Sequence, residues 1–433
     1  MIKYFVILFT LISFLNLSCG EDRTYEYENL TQHNIWMYEV MLDKYLWNDN
    51  LPEQTWKSYF ATPVDYFSSL TAKGDNDDWS YIEVDTVSTD NHERGYFNHS
   101  DSYGFDFVLM TDPTGATTRS YARVVSIWKD SPAYRAGLRR NDYIQLFDGY
   151  KLSKSNISRL ENGISHTLTV SRLIIDAEQS VFEWEDVRTL QLGASEYVED
   201  IAFPITNVIS QAGLNIGYVM CNRLTETAIE QSRSSSDYKA DMDDAFSMLK
   251  SNDIDELILD LRLCNFGTMD MARRLASYIV PDEALDSVFA KTFWNEANDV
   301  NNETIYFDSS LKGRNLGMNR VYVITSSYTQ GAAEWVISAL NYVLGKDNVI
   351  LVGTTTNGQN VMTQHVGDYE DMIHIYPSVA YVSNGSADYS TYKNGFTPDV
   401  NIDEFEYMEL YDYGSLYEVL FLTTLEMILG YEE

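Results

Sequence analysis

Four side chains in the second half of the chain are candidate nucleophiles because they lie at the ends of predicted strands or directly before a predicted helix. Three are the hydroxyls of Ser326, Ser327 and Thr329, directly before a predicted helix, and the fourth is the thiol of Cys264 at the end of an apolar strand. A hydroxyl attacks a carbonyl only when a base takes its proton, and a thiol reacts as its thiolate. Lys346 lies past the far end of the predicted helix, and no histidine is evidently placed to activate Cys264. We therefore interpret Cys264 as a packed thiol and find no activated nucleophile among these residues.

Metal and cofactor chemistry also lack a pattern in the sequence. The histidines show no spacing that is typical of a metal site; they are His33, His92, His99, His166, His365 and His374. The chain has no GxxxxGK[ST] loop and no GxGxxG turn, which are the motifs that cradle phosphates. The sequence therefore predicts no metal and no cofactor.

Composition restricts the class of partner. The 433 residues carry a formal net charge of −35, with 45% apolar and 22% charged residues. A polyanion is bound by neutralising its phosphates with Lys and Arg, so nucleic acid is not expected as a partner. Attraction to anionic lipid headgroups is disfavoured for the same reason.

The N-terminus changes the expectation for membranes. A short positive start is followed by an apolar run from Tyr4 to Leu17, which is too short to span a bilayer and has the length of a signal-peptide core. The next residues, Ser18-Cys19-Gly20, resemble a bacterial lipoprotein cleavage box. We therefore predict a signal peptide over 1–18 and a lipid-attachment Cys19 with a tether over 19–30; ordinary secretion is the alternative. The resemblance implies a lipid-anchored protein of the bacterial cell envelope, in the outer membrane, and Glu21-Asp22 resembles a surface-export signal.

Periodicity divides the mature chain into three regions. Apolar residues recur at helical spacing from Asn34 to Trp47, and a second helix is predicted over Pro63–Leu70, so 31–100 is expected to be a helical N-terminal domain. Short strands alternate with turns over 101–175. In 176–433, strands at 214–221, 256–261, 320–325 and 349–353 alternate with helices at 240–250, 269–279 and 332–344. This order predicts an α/β (α+β multidomain) protein whose core is a layered sheet covered by helices.

A motif series in the middle region resembles a PDZ domain. It consists of Tyr103-Gly104-Phe105, then SPAYRAGL at 131–138, NDYI at 141–144 and FDG at 147–149. The resemblance implies that Tyr103, Gly104 and Phe105 form the loop that captures the carboxylate of a peptide C-terminus. In this mode of recognition the peptide adds as a strand to a sheet edge. The implied partners are peptide or protein C-termini.

From Asn34 onward the chain resembles the C-terminal processing proteases, also called tail-specific proteases. Besides the PDZ-type motifs, segments in the family's order carry the resemblance: NIWMYEVMLDKYLWNDNLP at 34, DWSYIE at 78, NIGYVM at 215, DELILDLR at 255, VYVITSSYTQGAAEWVISAL at 321, ILVGTTTNGQ at 350 and GFTPDV at 395. The resemblance implies a protease-like core with a serine–lysine dyad. In such a dyad the lysine takes the proton of the serine, and backbone N–H groups stabilise the oxyanion.

The family's catalytic positions hold other residue types in this chain. The family's T-A-S-A-S-E reads T-Q-G-A-A-E here, which puts Gly331 at the nucleophile position. The family's G-E-T-T-x-G-K reads G-T-T-T-N-G-Q, which puts Gln359 at the base position. In the oxyanion segment, D-L-R-x-N-x-G-G reads D-L-R-L-C-N-F-G, so Phe266 replaces a glycine before Gly267. Glycine has no side chain to attack with, and a neutral amide is no base.

Three hypotheses of function follow. The first is an inactive protease homologue that binds peptide or protein C-termini through the PDZ-type loop and the former active-site cleft. The second is an active serine-type endopeptidase with a displaced nucleophile, although Ser326, Ser327 and Thr329 precede position 331 by two to five residues. The third is a structural component of an envelope complex.

Overall fold

The computed structural model describes residues 24–71, 77–84, 101–176, 181–199, 201–228, 234–367 and 373–431. Its α-helices in these ranges are α1 (Thr24–Lys44), α2 (Pro63–Leu70), α3 (Pro132–Ala136), α4 (Tyr238–Ser251), α5 (Met269–Ile279), α6 (Ala332–Leu344) and α7 (Val419–Leu429). Its β-strands are β1 (Tyr81–Val84), β2 (Phe105–Thr111), β3 (Ser120–Ile127), β4 (Tyr143–Phe147), β5 (Tyr150–Lys151), β6 (His166–Asp176), β7 (Val181–Leu192), β8 (Ile205–Gln211), β9 (Leu214–Met220), β10 (Glu256–Asp260), β11 (Val288–Trp294), β12 (Thr304–Tyr306), β13 (Val321–Thr325), β14 (Val349–Gly353), β15 (Val361–Thr363), β16 (Val366–Gly367), β17 (Ile373–Tyr376), β18 (Ser378–Ser383) and β19 (Val400–Asn401). The predicted mixed α/β class with several sheets is confirmed.

The predicted signal peptide over 1–18 and the lipid-attachment residue Cys19 lie outside the described residues. Where the structure does describe the chain, none of its helices combines the length and the apolar character that a membrane crossing requires.

Two compact units make up the chain, and the first comprises Met1–Ser88, Phe293–Asn301 and Val361–Ala380. In it, β1, β17 and β16 form an antiparallel sheet in that order. Alternate residues of its strands, among them Ile373 and Ile375, pack with Met37 and Met41 of α1. Thr62 caps α2 by accepting a hydrogen bond from the Asp65 N–H, and Pro63 follows the cap, which is a favoured order at a helix start.

The first helix begins earlier than we expected. The tether predicted over 19–30 is helical from Thr24 onward, because α1 continues without a break to Lys44. The segment from Thr24 to Leu30 contains no Gly or Pro that would end a helix on its N-terminal side. A lack of apolar periodicity was therefore a poor guide to where this helix starts.

The second unit comprises Thr89–Thr292, Asn302–Asn360 and Tyr381–Glu433, and its main sheet is built on parallel strands. The strand order is β19-β14-β13-β10-β9-β8, and β8 runs antiparallel to β9. The strands β10 and β13 are apolar and buried along nearly their whole length, as is usual when helices cover a parallel sheet. On one face of this sheet α7 packs its side chains Leu420, Phe421 and Leu425.

The carboxyl ends of three neighbouring parallel strands define one edge of this sheet. Asp260 of β10 is in register with Ile324 of β13, and Thr325 of β13 is in register with Gly353 of β14. The loops after these strands, 261–268, 326–331 and 354–360, therefore start side by side. Ligands of open α/β sheets bind at this kind of edge.

Residues 101–192 form an antiparallel sheet, which we call the edge-strand module. Its order is β2-β3-β4-β6-β7, with β5 paired to β4, so β2 is an edge strand among the strands that the structure describes. Buried apolar side chains that include Val124, Ile144 and Leu168 form its core. The hairpin of β6 and β7 carries the sheet to Leu192, past the boundary expected at residue 175.

Candidate functional site

Hydroxyls hold the loop between β13 and α6 in place. Ser326 Oγ donates to the Arg262 carbonyl oxygen at 2.5 Å, and Thr329 Oγ1 donates to the Leu261 carbonyl oxygen at 2.9 Å. Ser327 is exposed. In the described ranges none of these three hydroxyls is hydrogen-bonded to a lysine or histidine nitrogen. Ser326 and Thr329 thus serve to tie this loop to the loop after β10.

Gly331 begins α6 in a backbone conformation that favours glycine. Its φ is 56° and its ψ is −111°, a combination that other residues rarely adopt. A Cβ built on Gly331 would lie 2.9 Å from Gln359 Oε1. The structure therefore brings together the two positions that the sequence singled out.

Three side-chain amides occupy the space around Gly331. Gln330 Nε2 donates to Gln359 Oε1 at 2.8 Å, and Asn357 Nδ2 donates to Gln330 Oε1 at 3.1 Å. Gln359 is buried, with 8% of its surface exposed. Because amides neither ionise nor accept protons at neutral pH, these three side chains can bind polar groups and are not bases.

A buried carboxylate binds the backbone of the segments that carry these amides. Glu334 of α6 accepts hydrogen bonds from the N–H groups of Gly331, Gly358 and Gln359 at 3.1, 2.6 and 2.8 Å, and from Thr356 Oγ1 at 2.6 Å. Burial raises the pKa of Glu334 to about 7, against the effect of these four donors. We did not single out Glu334 from the sequence. Its place three residues after the helix cap, where a glutamate reaches back to the cap N–H, was the available signal.

The loop after β10 completes this edge. The Cys264 carbonyl oxygen accepts from the Gln330 N–H at 3.0 Å, while the Cys264 thiol is buried. A Cβ on Gly267 would lie 2.5 Å from Leu224 Cβ and 2.7 Å from Ala332 Cβ, so only glycine fits there. The structure thus places Cys264 and Gly267 beside the start of α6.

Phe266 and Lys346 occupy different surroundings. The Phe266 ring lies 5.8 Å from the Arg223 guanidinium, and its carbonyl oxygen accepts from the Leu224 N–H at 2.9 Å. Lys346 follows the C-terminal end of α6 and is exposed. The helix has 13 residues and spans about 20 Å, so Lys346 is too far from Gly331 to act there.

The predicted carboxylate-binding loop lies directly before the edge strand β2. Gly104 has a φ of 72°, and a Cβ on it would lie 2.1 Å from Ser131 Cβ, so glycine is required. The Gly104 N–H donates to Ser102 Oγ at 2.9 Å, and the Gly104 carbonyl oxygen accepts from the Trp128 N–H at 2.9 Å. Tyr103 is buried and donates its hydroxyl proton to the Ile164 carbonyl oxygen.

Metal-binding groups do not converge in the part of the chain that the structure describes: no three His, Cys, Asp or Glu residues are placed to hold an ion. Two of the histidines lie close to each other because the strands β16 and β17 pair. His365 Nε2 and His374 Nδ1 are 3.0 Å apart.

Comparison with known proteins identifies similar chains. Residues 215–402 match the profile of Peptidase family S41, and residues 32–81 match the profile of the Peptidase S41 N-terminal domain. A carboxy-terminal-processing protease from Bartonella bacilliformis is 23% identical over 290 residues, which is 65% of this chain. This chain spans 58% of the length of that relative.

A crystal structure described as an S41 protease from Bacteroides fragilis is similar over most of both chains. It superposes with a TM-score of 0.80 at 26% identity and covers 92% of this chain and 98% of its own. The two family profiles together span more than half of the chain, in the order expected from the sequence. The chain therefore belongs to peptidase family S41.

Proposed function

We propose that this protein is a catalytically inactive member of its family, a lipid-anchored envelope protein that binds peptide or protein C-termini. One observation supports the proposal of inactivity. A side chain at position 331 would point at residue 359, and these two positions hold Gly331 and Gln359. These two positions face each other, and they hold neither the nucleophile nor the base that the family resemblance implies. In serine hydrolases, loss of either one costs on the order of a million-fold in turnover.

The competing hypothesis is an active serine-type endopeptidase that uses a displaced nucleophile. Ser326 and Thr329 are engaged with carbonyl oxygens, which leaves the exposed Ser327 and the buried Cys264. We expect no cleavage of an unfolded protein substrate above a blank. Cleavage that disappears in Ser327→Ala or Cys264→Ser would contradict the proposal and restore this hypothesis.

Peptide binding is proposed for the edge-strand module. Among the strands that the structure describes, β2 pairs only with β3 and so lies at a sheet edge, which is where strand addition takes place, and Tyr103-Gly104-Phe105 leads into that strand. The partly buried Phe105 and Phe107 favour peptides with apolar final residues. The former active-site cleft, with its three amides, is a second proposed contact for the extended peptide.

A C-terminal carboxylate distinguishes this mode from simple apolar binding. We expect a fluorescein-labelled peptide with an apolar last residue to bind, and its amidated form to bind about tenfold more weakly, because a charged hydrogen bond contributes about 1.5–3 kcal/mol. Fluorescence anisotropy with both peptides measures this. Equal affinities would contradict carboxylate capture.

A further inference from the structure

We propose that His365 and His374 bind a divalent copper or nickel ion on the outer face of the three-stranded sheet β1-β17-β16. The inference does not depend on the proposed peptide binding, because this sheet belongs to the first unit and the edge-strand module to the second. The sequence predicted no metal, since the two histidines are nine residues apart and match no spacing that is typical of a metal site. The pairing of β16 with β17 brings them together.

The pleat of β17 directs His374 to the solvent side of the sheet. Its neighbours Ile373 and Ile375 are buried and pack with α1 on the other side. Successive side chains of a strand point to opposite faces, so His374 faces away from that core. Val366 is paired with Ile375 and packs against the same core, so the preceding residue, His365, is also on the solvent side.

A glycine opposite His374 leaves room for the two rings to meet. Gly367 is the direct partner of His374 in β16 and has no side chain. The His365 and His374 rings are stacked, with 5.2 Å between their centroids and 27° between their planes. His365 Nε2 and His374 Nδ1 are 3.0 Å apart. The two nitrogens therefore lie close enough to be ligands of one ion.

The distance between the nitrogens indicates which ion fits. A bond from a metal to an imidazole nitrogen is about 2.0–2.1 Å long, so nitrogens 3.0 Å apart subtend about 91–97° at a shared ion. Neighbouring ligands of a square-planar or tetragonal ion are about 90° apart, which is the geometry of Cu²⁺ and Ni²⁺. A tetrahedral zinc site needs about 109°, or about 3.3–3.4 Å between the nitrogens. The geometry thus favours copper or nickel over zinc.

The two imidazoles need no particular tautomer in the metal-free chain. A neutral imidazole has one N–H and one lone pair, and it keeps its proton on the nitrogen that does not bind the ion. His365 is exposed and His374 is half-buried, so solvent reaches the pair. Water can therefore occupy the coordination positions that the two histidines leave open.

A carboxylate beside the pair favours a cation. Glu83 of β1 is the direct partner of His374 on the side opposite β16. Glu83 Oε2 accepts a hydrogen bond at 3.1 Å from the hydroxyl of Tyr376, whose ring lies 5.0 Å from that of His365. The carboxylate is thus on the same face as the two imidazoles, where its charge attracts a bound cation. Imidazole is a ligand that suits both copper and nickel.

Copper binding to the full chain without an affinity tag tests the site. We expect isothermal titration calorimetry to show one Cu²⁺ per chain that depends on the histidines, in a buffer without amines or imidazole. The electron paramagnetic resonance spectrum of this ion should show coupling to two nitrogen nuclei, because the proposed ligands are two imidazoles. A spectrum with oxygen ligands alone would overturn the proposal.

His365→Gln and His374→Gln each remove one ligand. We expect each variant to bind copper more than about tenfold more weakly, since loss of even an outer partner of a metal ligand costs about 10–100-fold in affinity. His33→Gln is the matched control, because His33 lies in α1 of the same unit and is not part of the pair. Unchanged affinity in both site variants, or an equal loss in the control, would overturn the proposal.

Calcium distinguishes the histidine pair from the acidic surface of a chain whose net charge is −35. Ca²⁺ takes oxygen ligands, so an excess of Ca²⁺ should leave the affinity for copper unchanged. Displacement of the copper by Ca²⁺ would show that carboxylates hold the ion, and this result would overturn the histidine site.

Discussion

At the scale of single residues, the candidate site brings together Gly331 and Gln359, the two positions on which the proposal of inactivity depends. Gly331 precedes α6 with a positive φ of 56°, and a Cβ added to it would contact Gln359. The residue types at positions 331, 359 and 266, on which the proposal of inactivity depends, were read from the sequence directly. The roles of Glu334 and Gln330 were not predicted from the sequence, because they depend on which loop each side chain contacts.

Glu334 gives a prediction for stability against pH. Its folded pKa of about 7 exceeds the ordinary value of 4.5, so the folded state keeps a proton that the unfolded chain releases. The free energy of unfolding should therefore fall as pH rises from about 4.5 to about 7, by about 3 kcal/mol from this group. Urea unfolding at both ends of this range measures the change.

Glu334→Gln is the control for this effect, since the amide does not titrate. We expect the variant to lack that part of the pH slope, whatever its absolute stability. A slope equal to that of the wild type would show that Glu334 does not titrate in this range.

At the scale of elements, a buried ion network joins β10 to the edge-strand module. Arg262, which is fully buried, donates to Asp260 and to both carboxylate oxygens of Glu418, and it also meets Glu404. Arg140 of the module donates to the same Glu404 oxygen at 2.5 Å. The network thus crosses from the core sheet to the module through the segment before α7.

Arg262→Met should be strongly destabilising. It leaves buried carboxylates without their partner, and breaking a buried ion pair in this way costs about 3–5 kcal/mol. Arg320→Met is the matched control, because Arg320 pairs with Glu256 while 44% of its side chain is exposed, and such pairs contribute at most about 1 kcal/mol. Chemical denaturation of the two variants measures the difference; equal losses would contradict the buried network.

Local elements were predictable from sequence, and their long-range pairing was not. The predicted helices over 63–70, 269–279 and 332–344 have the observed bounds, since caps and periodicity are local signals. The pairing of β1 with β17 joins segments about 290 residues apart, and no local pattern specifies such a register. The helix that begins at Thr24 was expected only from Asn34, because apolar spacing does not indicate a polar helical turn.

At the scale of the whole molecule, family fold and family chemistry are separate properties. The similarity to the Bacteroides fragilis structure covers 92% of this chain, whereas the proposed loss of activity concerns only the residue types at a few positions, among them Gly331 and Gln359. Many buried contacts maintain a fold, whereas a dyad's chemistry depends on two side chains. A few substitutions can therefore remove the chemistry and keep the fold. Because the net charge of −35 disfavours attraction to anionic lipid headgroups, the proposed attachment to a membrane is through the lipid on Cys19.

The proposed anchor predicts the behaviour of Cys19→Ser. In cells of a bacterium that processes lipoproteins, we expect the wild type in the membrane fraction, resistant to high salt, and the variant in the soluble fraction. Salt screens charge contacts but does not remove an acyl chain from a bilayer. Intact mass of the extracted protein checks acylation, and an unmodified mature N-terminus would contradict the anchor.

The central claim is that positions 331 and 359 face each other without a nucleophile or a base. It is tested most directly by intact mass after treatment with a fluorophosphonate. The account predicts no adduct on the wild type. It predicts one adduct at position 331 in the Gly331→Ser/Gln359→Lys variant, because the two substitutions put the proposed nucleophile and base at positions that face each other. An adduct on the wild type at Ser326, Ser327 or Thr329 would contradict the account and show that a displaced nucleophile is active.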